Sequence, residues 1–288
     1  MPATQQYIEQ VIANYERAAE ANENTAARIG NVVELSADDG DEILITADLH
    51  GHRRNFNAIR RLAALADHPR RHLVLQEVCH GGPTYPNGGC MSHTLLEDVA
   101  QLKATFPERV HFLLSNHELA ELTDYPILKA GKMLNLMFRL GMQHTYGQSA
   151  ERVRQSMHAF IRSCPLAVRL PGGVFICHSL PEQTDSRPFD TGIFQRELDV
   201  ADLHEHGPVF QLVWGRDYRE ENARAFARSV RARLLVCGHE PCIEQGYMVP
   251  NPHQIILDGC SDPACYLLLP IARDAWTQEE LVSRIQRL

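Results

Sequence analysis

The sequence predicts an α/β protein with a mixed, layered sheet, and three observations carry the prediction. Strand-length apolar runs alternate with helix-length amphipathic segments through the first half of the chain. The last part is strand-rich, with short runs near 233–237, 245–249, 254–258 and 264–269. No internal repeat, low-complexity tract or linker interrupts the 288 residues, so one main domain over 31–288 is expected, preceded by a helical extension over 1–30.

Taken in order, residues 4–28 place Ile8, Val11, Ile12 and Tyr15 on one helical face. Residues 31–36 and 42–47 read as strands around the turn signal DDGD. Residues 54–66 read as a helix and 72–77 as a strand, followed by the Gly/Pro-rich loop GGPTYPNGGC. A helix over 92–105 leads to a strand over 110–114. Residues 117–164 read as mostly helical, punctuated by Gly131, Gly141 and Gly147. Two strands flank Pro171-Gly172-Gly173, and residues 190–232 lean helical. Thr277 and Glu280 stand at capping-box spacing and open a C-terminal helix.

Composition narrows the function. Hydrophobic residues make up 44% of the chain, enough for a sizeable core. The net charge of −8 with no basic stripe argues against nucleic acid or an anionic membrane as partner. The start, MPATQQYIEQ, lacks a signal-peptide pattern, and no apolar run approaches the roughly 18 residues of a membrane span. Eight cysteines without a CxxC pair, several in apolar strand-like runs, suit buried reduced thiols and a cytoplasmic protein. Fifteen histidines justify a search for metal ligands.

That search finds polar residues at the ends of five predicted strands. The strand over 42–47 runs into Asp48-Leu49-His50-Gly51-His52, and 72–77 ends in Glu77. The strand over 110–114 runs into Ser115-Asn116-His117-Glu118, another ends in His178, and 233–237 runs into Gly238-His239-Glu240. Strand ends on one edge of an α/β sheet converge, and sites form there. Imidazole suits Zn, Fe and Mn, and carboxylate and amide oxygens suit Mn and harder ions. A carboxylate shared by two ions about 3.5–4 Å apart creates a centre that activates water for phosphoryl displacement.

These motifs, in this order, resemble the calcineurin-like metallophosphoesterases over roughly residues 40–270. The branch most similar is that of the phosphoprotein phosphatases, bacterial and phage Ser/Thr phosphatases among them. Ala47-Asp48-Leu49-His50-Gly51, Ser115-Asn116-His117-Glu118, His178 and Gly238-His239 carry the likeness, as do Cys164-Pro165-Leu166-Ala167 and Trp214-Gly215-Arg216. The resemblance implies a β-sandwich of mixed sheets flanked by helices. It also implies two divalent or transition-metal ions (Mn, Fe or Zn). Asp48, His50 and Glu77 would hold one; Glu77, Asn116, His178 and His239 would hold the other. His117 would be the general acid and Arg216 a phosphate-binding arginine, acting on a phosphorylated protein, nucleotide or small molecule.

The second motif departs from the family pattern. Glu77 stands where the family has a bridging aspartate, His80 where it has the aspartate that orients the general acid, and Gly81 where it has an arginine. His52, Arg53 and Arg54 follow the first motif and are, with His80, the candidates to contact substrate instead; Arg53 and Arg54 equally suit the start of a solvated helix. The longer loop over 81–93 reads either as a lid beside the site or as a surface insertion. Two functions follow: a phosphoesterase, or a pseudo-phosphatase that binds a phosphorylated partner without turnover.

Overall fold

The computed structural model describes residues 3–288; Met1 and Pro2, which open the expected extension, lie outside them. Its helices are α1 (Gln5–Glu23), α2 (Arg53–Ala63), α3 (His93–Thr105), α4 (Asn116–Thr123), α5 (Leu134–Tyr146), α6 (Ala150–Ser163), α7 (Val200–Leu203), α8 (Pro208–Trp214), α9 (Glu220–Ser229) and α10 (Gln278–Val282). Its strands are β1 (Arg28–Ile29), β2 (Val32–Glu34), β3 (Glu42–Asp48), β4 (Arg71–Gln76), β5 (Val110–Phe112), β6 (Leu128–Lys129), β7 (Lys132–Met133), β8 (Ala167–Leu170), β9 (Val174–Cys177), β10 (Leu234–Cys237), β11 (Tyr247–Asn251), β12 (Gln254–Leu257), β13 (Cys265–Pro270) and β14 (Ile285–Arg287).

Two sheets carry the molecule. One runs β14-β13-β3-β4-β5, with β3, β4 and β5 parallel. The other runs β1-β2-β8-β9-β10-β12-β11, with β9, β10 and β12 parallel. Strand alternation makes them a sandwich. Ile43, Ile45 and Ala47 of β3 share a core with Val168, Val174, Ile176, Val236 and Ile255 of the other sheet. The opposite faces, among them Leu44, Leu73 and Leu75 on one side and Phe175 and Cys177 on the other, pack under helices. The mixed α/β sandwich is therefore the observed architecture.

The differences from expectation have local causes. The first helix stops at Glu23 rather than near residue 28, and β1 and β2 pair as a hairpin about Gly30, whose φ is +60°. Thr4 caps α1 by accepting from the Tyr7 amide, and Ile8, Val11, Tyr15 and Ala18 of α1 enter the same core as α3 and α6. Gly131 turns the β6–β7 hairpin and Gly147 ends α5, but Gly141 lies inside α5. A Cβ there would strike the carbonyl of Cys90, so Gly141 lets the 81–93 loop lie directly on the helix. The capping box of Thr277 and Glu280 forms, yet its helix ends at Val282 and β14 follows, because β13 offers an edge to pair with. No cysteine is in a disulfide; seven are buried and Cys260 partly so. Among the described residues no helix is long and apolar enough to cross a membrane.

Candidate metal centre

The carboxyl ends of the parallel strands of both sheets meet at one place. Asp48 ends β3, Glu77 follows β4 directly, Asn116 opens α4 beyond β5, His178 follows β9, and His239 lies two residues past β10. Left-handed backbone concentrates there: φ is +41° at His50, +34° at Glu77, +61° at His80 and +72° at His239. Non-glycine residues adopt this region at a cost, and they do so where surrounding structure holds a side chain in place. At Glu77 the hold is visible, since its carbonyl accepts from the amides of Leu49 and His50 at 2.7 and 3.0 Å. The strand expected to reach Glu77 ends instead at Gln76.

The side chains converge as acceptors. The Gln76 amide nitrogen donates to the Thr46 carbonyl at 3.1 Å, which leaves its oxygen to accept from His178 Nδ1 at 3.2 Å. That fixes the proton of His178 on Nδ1 and leaves Nε2 a lone pair. Nε2 then faces Asn116 Oδ1 at 2.8 Å, His239 Nδ1 at 3.2 Å and Glu77 Oε2 at 3.7 Å. Asn116 Oδ1 also faces His239 Nδ1 at 3.1 Å. Likewise His50 donates from Nδ1 to the Cys79 carbonyl at 3.2 Å and turns Nε2 to Glu77 Oε2 at 3.5 Å. Asp48 accepts the His239 amide on Oδ2 at 2.8 Å, while its buried Oδ1 has no hydrogen-bond partner. Buried acceptors aimed at one another, with one left orphaned, fit a site built for cations. One ligand atom each from Glu77, His178 and His239 lie within 4.8 Å of one another, as do those from His50, Glu77 and His117.

The electrostatics agree. Burial, reinforced by the neighbouring Glu77, pushes the Asp48 carboxyl well above its usual range. Burial, with the Glu118 charge behind it, pushes Glu77 up to about 8. Two buried carboxylates side by side need positive charge to stay ionised together. Burial also holds His117 and His178 well below the ordinary imidazole value and His239 at about 3, the last helped by Arg216. Neutral imidazole is the ligand form. The Cys79 thiol beside the site is pushed up by burial, which keeps it protonated and unreactive.

The expected helpers divide. Arg216 reaches the site edge with its Nε on Glu240 at 3.0 Å, while its Nη atoms have no hydrogen bond among the described residues. His52 caps α2, accepting the Asn55 amide at 3.3 Å. Arg53 is tied to Asp98 and Thr94 on α3, and Arg54 is exposed on α2. His80 is buried, with Nδ1 on His117 Nδ1 at 3.0 Å and Nε2 on Glu121 Oε1 at 2.7 Å. It faces the general-acid candidate and not open solvent, so the expected substrate contact by His80 gives way to a contact with His117. The 81–93 loop is pinned: Cys90 donates its amide to the Met137 carbonyl at 2.7 Å, and the His80 amide bonds Ser92 Oγ at 3.0 Å.

Sequence reading missed three supports. Gln76 orients His178, and Glu118 accepts the amides of Val78 and Cys79 at 2.9 and 2.8 Å. Glu121 backs His80. Glu121 had a readable signal, because it stands four residues after His117 and so on the same helix face. Gln76 had none beyond its place at a strand end.

The calcineurin-like phosphoesterase family model matches residues 42–242. A probable serine/threonine-protein phosphatase of Encephalitozoon cuniculi is 26% identical over 285 residues, covering 90% of this chain and 57% of the relative. The chain thus spans little more than half the length of that curated relative. Among solved structures, a protein serine/threonine phosphatase from Saccharomyces cerevisiae with similarity to human phosphatase PP5 superposes with a TM-score of 0.71 at 14% identity, covering 98% of this chain and 89% of that one. A cold-active protein-tyrosine phosphatase of a psychrophilic Shewanella species gives 0.52 at 13% identity, covering 88% and 80%. At these identities the two structures share the fold with this chain, and the chemistry must be argued from its own residues.

Proposed function

This chain belongs to the calcineurin-like phosphoesterase family, and from that premise we propose that it hydrolyses phosphate monoesters at a centre of two divalent metal ions. The convergence of His178 Nε2, Asn116 Oδ1 and His239 Nδ1 beside the orphaned Asp48 oxygen carries the reading. Asp48, His50 and Glu77 would hold one ion, and Glu77, Asn116, His178 and His239 the other. Bound there, such a pair supplies Lewis acidity to the phosphoryl oxygens and makes water a nucleophile near neutral pH. The chain's residues do the rest. The free Nη atoms of Arg216 bind phosphoryl oxygens as a fork. His117 turns Nε2 toward Glu77 at 3.9 Å, and protonates the departing oxygen. The buried site walls keep competing water away. The name of the Encephalitozoon cuniculi relative makes a phosphorylated serine or threonine side chain the first substrate to test.

Elemental analysis of protein purified without chelator, alongside assays on p-nitrophenyl phosphate and phosphoserine peptides with added Mn, tests the reading. About two ions per chain and turnover are expected. Protein that holds no metal and ignores added Mn, Zn and Fe overturns it. Metal without turnover on any phosphate ester selects the pseudo-phosphatase instead.

A further inference from the structure

The Glu121–His80 pair is fully buried, with both side chains at 0% exposure. A buried His–carboxylate pair is costly to assemble, and Glu121 Oε2 has no hydrogen-bond partner among the described residues. Glu121 Oε1 also accepts Asn135 Nδ2 at 3.0 Å, and Asn135 is itself fixed by the Ile127 amide at 2.9 Å. The His80 ring lies edge-on to Phe138, with centroids 5.6 Å apart at 89°. Nothing in this shell lets the ring turn. A loop anchor needs only the bond to Glu121, but the other ring nitrogen meets His117 Nδ1 at 3.0 Å.

Resting on the phosphoesterase reading above, we propose that Glu121 and His80 are positioning residues for His117. They form a hydrogen-bonded chain that fixes its tautomer and aims its Nε2 at the leaving oxygen. A carboxylate only accepts, so His80 carries its proton on Nε2 and presents Nδ1 as acceptor. His117 must then donate from Nδ1, which assigns its other nitrogen, Nε2, to the reaction. In the step itself water oxygen bonds to phosphorus, and the bond from phosphorus to the ester oxygen breaks. The proton released by that water passes to the Nε2 lone pair of His117 and from there to the ester oxygen, while the Nδ1–H of His117 stays on His80. No net charge is consumed by the chain.

Two measurements decide the matter. Nitrogen-15 NMR of the metal-free protein, with assignments from His80→Gln and His117→Gln, reports the tautomers without reference to activity. His80 is expected with its proton on Nε2 and His117 with its proton on Nδ1; the reverse arrangement in either ring overturns the proposal. The second is the double variant His80→Phe/Glu121→Leu, which removes both buried polar partners at once and so avoids an unpaired charge. With metal content and KM unchanged, kcat on a phosphoserine peptide, whose alkoxide needs the proton, should fall about 10²-fold. On p-nitrophenyl phosphate, whose phenolate leaves readily, the fall should stay under roughly threefold. An equal loss on both substrates, or no loss on either, identifies the pair as a structural anchor and sinks the idea. If the double variant does not fold, the tautomers alone decide. Should wild type bind no metal and hydrolyse neither substrate, it is the phosphoesterase reading that fails, while the NMR still reports on the chain of three side chains.

Discussion

The two halves of the site are built differently. The proposed ligand half, Asp48, Glu77, Asn116, His178 and His239, stands on or just past strand ends of two facing sheets. The half proposed to position the acid, His80, Glu121, Ser92 and the loop to His93, stands on a connection pressed against α4 and α5. Strand ends are set by the sandwich core and have little freedom to change. A loop can be rebuilt, and here it has been: Gly81 occupies the place where the family pattern has an arginine. The backbone explains why no larger residue stands there. Gly81 has φ +142°, a Cβ on it would strike the His50 carbonyl, and Gly51 and Gly82 meet face to face beside it. Tight packing of three glycines has replaced a charged contact.

Breaking the ligand half should have the largest effect. Glu77→Gln removes a carboxylate oxygen from both proposed ion sites, so metal content and turnover should be lost together, by several orders of magnitude in kcat/KM. Elemental analysis and a phosphatase assay on one preparation check it; retention of both would place Glu77 outside the ligand set. His117→Asn comes next. It should keep its metals and lose on the order of 10²-fold in kcat, since a general acid contributes about that much or more. Loss of metal in this variant would move His117 into the coordination sphere, which the grouping of His50, Glu77 and His117 makes a pointed test.

The comparison is sharpened by attempting to restore the arginine. Gly81→Arg should give no gain in turnover and should lower stability by roughly 1–3 kcal/mol, the usual scale for a side chain forced into a strained backbone region. Thermal melts show it, and a Gly81→Arg variant of unchanged stability with a lower KM would mean that the loop yields easily. The smallest effect belongs to Arg53→Ala. Its guanidinium is spent on Asp98 and Thr94 of α3, so KM for a phosphorylated substrate should move less than about twofold, the scale of a surface pair. A clear rise in KM would restore Arg53 as a substrate contact and leave its ion pair on α3 incidental.

Much of the fold was legible because its signals are local. The alternation of Ile43, Ile45 and Ala47 with Leu44 and Thr46 marks a strand with two faces, and a polar residue at its end marks an edge. The candidate ligands Asp48, Glu77, His178 and His239 could be proposed for that reason. What escaped was set by neighbours distant in sequence. Helix over residues 24–28 lost to a hairpin with β2, β14 forms only because β13 needs a partner, and Gly141 reads as a break but serves a close approach by Cys90.

The sequence by itself thus determined the layered α/β class, the strand ends and the residue types that can hold metal, since periodicity and ligand chemistry are properties of short segments. Only the tertiary structure decided the tautomer of His178 through Gln76, the fate of Arg53, and the meeting of Glu121, His80 and His117. Those depend on side chains from separate elements meeting at hydrogen-bond distance. A hydrogen bond's partner is chosen by position in space, which spacing along the chain does not encode.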